Sequence, residues 1–255
     1  MRPIIAITVN YSYNGSSESM EGIGTDDQQW QLLADDYITA VERAGGLPLM
    51  LPVFKGDDRD GLIKEAVSLA DGILFSGGTD LDLALFGGSS DGHTGIVVPE
   101  RDRAEIALAE YVIQKTDKPV MGVCRGIQLI NAVLGGSLIP HIPDSGRASH
   151  SFSAYPKYLP AHHVSVDRDS LLYRLTGCED LSVNSFHHMA VGTCAPVLRP
   201  VAVTQDGLIE AVELKDNPNH RFLLAVQWHP EMMSEADPVQ QRIITGFVNQ
   251  CRKQE

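Results

Sequence analysis

Short apolar runs alternate with longer stretches of helical period along the first half of the chain. Pro3 to Val9, Leu47 to Leu51, Gly72-Ile73-Leu74-Phe75 and Val120-Met121-Gly122-Val123 are almost wholly apolar and short enough to be strands. Between the first two, Leu32, Leu33, Tyr37, Ile38 and Val41 recur at helical spacing, preceded by Thr25 and Gln28 at capping-box spacing and stopped by Gly45-Gly46. Asp57 to Ala70 reads as a second helix. Arg101 to Lys115 reads as a third, carrying Ile106, Leu108, Ala109, Val112 and Ile113. Strands without polar alternation, separated by helices, indicate a parallel sheet covered on both faces. Two glycine-rich polar stretches interrupt the pattern, Asn10 to Gly24 and residues 87–99. The first is read either as a rim or lid over a site or as a bulge with no core of its own.

After Gly135-Gly136 the character changes. Residues 139–160 are rich in Pro, Ser and His and have no period. Short β-like segments follow at His162 to Val166, Leu198 to Thr204, Leu208 to Leu214 and Phe222 to Gln227, with Asp206-Gly207 as a hairpin turn. A helix from about Pro238 to Cys251 closes the chain, with Asp237 as N-cap and Pro238 at its first position. The expected fold is α/β: a mostly parallel central sheet flanked by helices on both faces, with a small β-rich portion in the C-terminal half. No repeat, low-complexity tract or linker divides residues 1–255, so one domain is expected.

Charge narrows the partners. With 33 acidic and 20 basic residues the net charge is −13, which argues against nucleic acid and against an anionic membrane. No apolar run approaches the ~18 residues of a membrane span, and the amino-terminal run has no cleavage site, so a cytoplasmic protein is expected. Cys124, Cys178, Cys194 and Cys251 show no CxxC spacing and suggest neither a zinc site nor a disulfide framework. A homodimer is compatible with the sequence, which specifies no interface.

The chemistry concentrates at Gly122-Val123-Cys124-Arg125-Gly126, where an apolar strand ends, a cysteine sits at the break and a helical pattern begins. Small residues two positions either side of a nucleophile let strand and helix crowd together and expose the side chain at the turn. A cysteine at a helix N-terminus also meets aligned N–H groups that favour its thiolate. Cys178 and Cys194 have no such setting and read as small buried residues. A cysteine nucleophile needs a base and an orienting group, and His229-Pro230-Glu231 offers both. With Pro230 disfavouring helix at His229, the tripeptide is expected to be extended, placing Glu231 beside the imidazole. Gly77-Gly78, at the end of another strand, lets backbone N–H groups approach a ligand. Together with the N–H of Arg125 they make a candidate oxyanion hole.

GVCRGIQ, FSGGTD and QWHPE together resemble the class I glutamine amidotransferase-like superfamily. VPERD, VNSFHH and DGLIEAVEL narrow the resemblance, which spans about residues 3–250, to its γ-glutamyl hydrolase (peptidase C26-like) branch. The resemblance implies a flavodoxin-like fold and a triad of Cys124, His229 and Glu231. It implies oxyanion contacts at Gly78 and Arg125, and glutamyl-group contacts at Gly77, Gln128, Asn184, Ser185 and His187. The activity implied is hydrolysis of γ-glutamyl amides of small molecules, with γ-glutamyl-γ-aminobutyrate as the foremost substrate. The glycine motif departs from its relatives at the pocket rim, with Leu83 where many have proline and Phe86-Gly87 where many have Tyr-Gly.

Two rival readings share these residues: a glutaminase-type subunit supplying ammonia to a partner synthetase, and an inactive binding module. The chain has no GxxxxGK signature, and the whole triad is present. His187-His188 and His162-His163 raise the question of a metal, but no carboxylate or cysteine stands at ligand spacing beside them, so neither a metal nor a cofactor is expected. Arg101 and Asp102 are read either as structural charges at a helix start or as rim contacts.

Overall fold

The computed structural model describes residues 1–12, 28–89, 92–152, 154–217 and 221–252. Its first half contains β1 (Ile4–Thr8), β2 (Asn10–Ser12), β3 (Trp30–Leu32), α1 (Asp35–Arg43), β4 (Leu47–Leu51), α2 (Arg59–Leu69), β5 (Gly72–Phe75), α3 (Pro99–Lys115), β6 (Val120–Val123) and α4 (Arg125–Val133). The second half adds β7 (Leu138–Ile139), β8 (His162–Val166), α5 (Leu171–Thr176), β9 (Asp180–Val183), β10 (Ala190–Val191), β11 (Leu198–Val203), β12 (Ile209–Leu214), β13 (Leu223–Val226), α6 (Pro230–Met233) and α7 (Pro238–Gln250).

One sheet runs in the order β4-β1-β5-β6-β13-β12-β11-β8-β9. From β4 to β13 every neighbour is parallel. Beyond β13 every neighbour is antiparallel. The expected mostly parallel core is present, and so is the β-rich C-terminal portion. It extends the same sheet, with β13 as the seam.

Side chains of the central strands alternate between two cores, which explains their lack of polar positions. Ile73 and Phe75 of β5 and Leu223 and Ala225 of β13 pack with Ile63, Val67, Leu108, Val112 and Ile127 from α2, α3 and α4. Leu74, Leu224 and Val226 face the other way, with Tyr37, Val41, Ile243 and Phe247 from α1 and α7. At the sheet edge β4 is covered less well than its apolar sequence suggests: Leu47, Leu49 and Met50 are 43–48% exposed.

The first helix starts later than the spacing of Thr25 and Gln28 predicts. Trp30–Leu32 instead pairs antiparallel with Asn10–Ser12. The Gln31 amide accepts from the Val53 N–H at 2.7 Å, tying this hairpin to the chain after β4. The helix begins only at Asp35, where Asp35 and Asp36 face its positive end. Thr25 and most of the Asn10–Gly24 loop lie outside the described residues. No helix among the described residues is long and apolar enough to cross a membrane.

Candidate active site

Three adjacent parallel strands, β5, β6 and β13, end level with one another. Phe75 pairs with Gly122, and Val123 with Val226. The residues after these ends are Ser76-Gly77-Gly78, Cys124 and Gln227-Trp228-His229. This is the edge at which open α/β sheets bind ligands. Cys124 sits between β6 and α4 with φ 53° and ψ −104°, the one positive φ outside glycine among the described residues. The flanking glycines are sterically required. A Cβ on Gly122 would meet Ile130 at 2.8 Å, and one on Gly126 would run into the Phe75 carbonyl. The helix therefore lies against the strand ends, holding the thiol at the turn.

His229 and Glu231 reach this thiol from the end of β13. The imidazole Nδ1 is 2.6 Å from Glu231 Oε1, and the imidazole Cε1 and the Cys124 Cβ both border Gly77. The expected extended tripeptide is not how the contact forms. Pro230 opens α6 as its first residue, and Glu231 lies in that helical turn, since proline's fixed φ suits a helix start. His229, Glu231 and Cys124 are all at least nine-tenths buried. Burial alone would push the His229 pKa down. The Glu231 carboxylate and Cys124 outweigh it and hold the imidazolium well above its usual 6.5.

The glycine loop beside them is braced from below. Ser76 is tied to β1 by its N–H to Thr8 Oγ1 (3.0 Å) and its hydroxyl to the Thr8 carbonyl (2.7 Å). Arg101 Nη2 donates to the Gly77 carbonyl at 2.9 Å and to Ser76 Oγ at 3.1 Å, and Nη1 bonds Asn10 Oδ1. Gly78 has φ 138°, and a Cβ there would overlap Asn10 and Arg101. The Gly77 N–H donates to the Tyr37 hydroxyl at 2.9 Å. Of the three N–H groups expected at the oxyanion hole, Gly77 is thus spent within the protein. Gly78 and Arg125 have no backbone N–H partner among the described residues. Tyr37 is buried, and burial followed by the nearby Glu231 charge keeps its phenol protonated, with a pKa well above 10.

Arg101 and Asp102 are fully buried in the first turn of α3. Arg101 Nε pairs with Glu105 Oε1 at 2.8 Å, and Arg125 pairs with Asp102 Oδ1 at 2.5 Å and with Glu105 Oε2. Two guanidiniums and two carboxylates close a neutral network between α3 and the elbow. Burial would raise the Glu105 pKa, yet Arg101 and Arg125 hold it below the usual carboxylate value. The Arg125 side chain therefore supports the turn from behind, while its backbone N–H remains at the site.

The other expected contacts divide. Gln128, one turn into α4, donates to the Met189 carbonyl at 3.0 Å and to Gln227 Oε1 at 3.3 Å, so it lines the wall beside the elbow. Asn184 spends its whole amide on the backbone: Oδ1 accepts from the His229 N–H at 2.9 Å, and Nδ2 donates to the carbonyls of His229 (3.1 Å) and Lys157 (2.7 Å). It can position the base, but it has no donor left for a ligand. The Ser185 hydroxyl is likewise spent, on the His150 carbonyl at 2.6 Å. His187 faces Glu210, with Nε2 3.4 Å from Oε1. The expectation that no carboxylate accompanies these histidines fails at this point, because β12 carries Glu210 in from a distant part of the chain.

Tyr37, Glu105 and Asn10 escaped the sequence reading. Tyr37 stands among apolar residues at helical period and reads as core. Glu105 had a signal, since it follows Arg101 by four residues and can pair with it along one helix face.

Comparison with known proteins agrees with this architecture. The chain is 36% identical over 214 residues to a glutamine amidotransferase-like protein, YvdE, of Lactococcus lactis, covering 84% of this chain and 86% of the relative. It is 31% identical over 229 residues to the γ-glutamyl-γ-aminobutyrate hydrolase PuuD of Escherichia coli K12, covering 87% of each. A crystal structure from Thermoplasma acidophilum, described as that of a GMP synthase component, superposes with a TM-score of 0.60 over 98% of this chain and 95% of its own, at 16% identity, and so shares the fold. The peptidase C26 family model matches residues 3–231, which takes in the elbow, the glycine loop and the His229–Glu231 pair; the chain belongs to the peptidase C26 family.

Proposed function

We propose that this protein hydrolyses the γ-glutamyl amide bonds of small molecules through Cys124, His229 and Glu231. The observation that carries the reading is the buried Glu231–His229 contact at 2.6 Å, set against a thiol on a strained strand-to-helix turn. The Cys124 thiolate adds to the γ-carbonyl carbon, and the resulting oxyanion is received by the N–H groups of Gly78 and Arg125. Protonated His229 passes its proton to the leaving nitrogen as the C–N bond breaks, leaving a γ-glutamyl thioester and a free amine. Neutral His229 then takes a proton from water, hydroxide adds to the thioester, and collapse expels the thiolate and releases glutamate. Glu231 holds the imidazole in one orientation and stabilises its charged form throughout.

The resemblance to the γ-glutamyl-γ-aminobutyrate hydrolase of Escherichia coli supports γ-glutamyl-γ-aminobutyrate as the first substrate to try. The test offers the purified chain a panel of γ-glutamyl amides, including glutamine, and follows released glutamate by mass spectrometry. Turnover of γ-glutamyl amines by the wild type and its loss in a folded Cys124→Ala variant is the expected result. Retained hydrolysis by Cys124→Ala would sink the mechanism. Glutamine used better than every other amide would favour an ammonia-supplying glutaminase instead.

A further inference from the structure

Glu210 is fully buried on β12, and neither of its carboxylate oxygens has a hydrogen-bond partner among the described residues. A buried carboxylate left alone costs several kcal/mol, so something must answer it. Three imidazoles converge on it. His187 Nε2 lies 3.4 Å and His150 Nδ1 3.6 Å from Oε1. The ligand atoms of His150, His162, His187 and Glu210 all lie within 4.8 Å of one another. His150 Nδ1, His162 Nε2 and His187 Nε2 are themselves buried without a hydrogen-bond partner among the described residues. The rings are inclined, His150 at 63° to His162 and 52° to His187, so they converge without stacking.

The 3.4 and 3.6 Å separations from Glu210 are poor for hydrogen bonds but close to those between ligands of one ion. Around a tetrahedral centre with bonds of about 2.0–2.1 Å, neighbouring ligand atoms stand about 3.3 Å apart. The tautomer of His187 agrees. Its Nδ1 faces the Met189 carbonyl at 3.0 Å and donates to it, so in the neutral ring Nε2, on the Glu210 side, is the atom free to ligate. A carbonyl behind a histidine is the usual outer partner of a metal-bound ring. A cleft of about 490 Å³ bounded by His150, His162, Thr204 and Asp206 gives the cluster a path to solvent.

We propose that His150, His162, His187 and Glu210 bind one divalent transition-metal ion, with Zn²⁺ the best match, in a four-ligand structural site separate from the Cys124 centre. Three nitrogens and one carboxylate oxygen suit zinc, and a closed protein shell suits a structural ion. The ion would pin the irregular segment before β8 and the connection from β9 to β10 onto β12. That connection also carries Asn184, which holds the His229 backbone. The site does not depend on the hydrolase reading above.

The test strips the full chain with a chelator and titrates it with Zn²⁺ against a chromophoric competitor, and with Co²⁺ by visible absorption. One equivalent with a tetrahedral cobalt spectrum, and a melting temperature raised by Zn²⁺, are expected. Glu210→Gln and His162→Ala should each lose at least about 100-fold in affinity, beyond the 10–100-fold typical of losing an outer partner. Cys124→Ala and His141→Ala should keep wild-type affinity; His141 belongs to a second, more exposed group with His93 and Asp144. Should Glu210→Gln fail to fold, His162→Ala, at a partly exposed position, decides. Binding no tighter than the competitor removes, or binding lost in Cys124→Ala or His141→Ala in place of the other two, overturns the proposal.

Discussion

Cys124 holds a backbone conformation that a residue with a Cβ adopts at a cost of about 1–3 kcal/mol. The cost is sustained because Gly122 and Gly126 let α4 pack so closely that no relaxed turn fits. Glycine there relieves the strain and alanine does not. Cys124→Gly is therefore expected to be about 1 kcal/mol more stable than Cys124→Ala in urea unfolding; equal midpoints would mean an unstrained elbow. At His229 the sign of the pKa shift sets a second prediction. Glu231 raises the imidazolium, so Glu231→Gln lowers it, and the proton needed by the leaving amine is lost at lower pH. The alkaline limb of kcat/KM should move down in pH and kcat should fall about 10²–10⁴-fold. The stability that Glu231 contributes through this proton is full below pH 6.5 and fades as pH rises through the folded pKa of His229, so wild type and variant should converge in stability toward alkaline pH. An unmoved alkaline limb would separate Glu231 from the base. The pairing of His229 with Glu231 was legible in the sequence because the two are two residues apart. The backbone that achieves it was not, since Pro230 can end one element or open the next.

Among the elements, the α3–α4 junction supports the elbow and the glycine loop from behind. Arg101, Asp102, Glu105 and Arg125 balance one another away from bulk solvent. Removing one partner strands a buried charge, so Glu105→Gln should cost about 3–5 kcal/mol. A loss under about 1 kcal/mol in denaturant titration, the range of exposed pairs, would show the network to be solvated. Gly126→Ala tests the packing of α4 directly, because its Cβ would meet the Phe75 carbonyl. That variant should be destabilised by about 1–3 kcal/mol, as overpacked positions commonly are. The elbow itself could be read from glycine spacing, since strand, turn and helix there are contiguous. The network beneath it could not, because Arg101 and Arg125 meet only once α3 and α4 pack side by side.

For the molecule as a whole, the two halves of the sheet divide the work. The parallel half presents Gly77-Gly78 and Cys124 at its strand ends, and the antiparallel half supplies Asn184, which grips both N–H and carbonyl of His229. Asn184→Ala should let the imidazole drift and lower kcat, where a misplacement of about 1 Å can cost about 100-fold, with KM less affected. An unchanged kcat would remove Asn184 from the positioning of the base. What could be read along the chain is what is local: the alternation of apolar strands and helices, the Gly-x-Cys-x-Gly turn, and the proximity of His229 to Glu231. Such features depend on spacings of a few residues, within which backbone geometry leaves little choice. Three-dimensional packing was needed to bring Tyr37 and Arg101 under the glycine loop, to set Asn184 against the base in place of the ligand, and to gather His150, His162 and His187 around Glu210. Those meetings depend on strand order and register across the sheet, and no periodicity along the chain encodes which distant strands become neighbours.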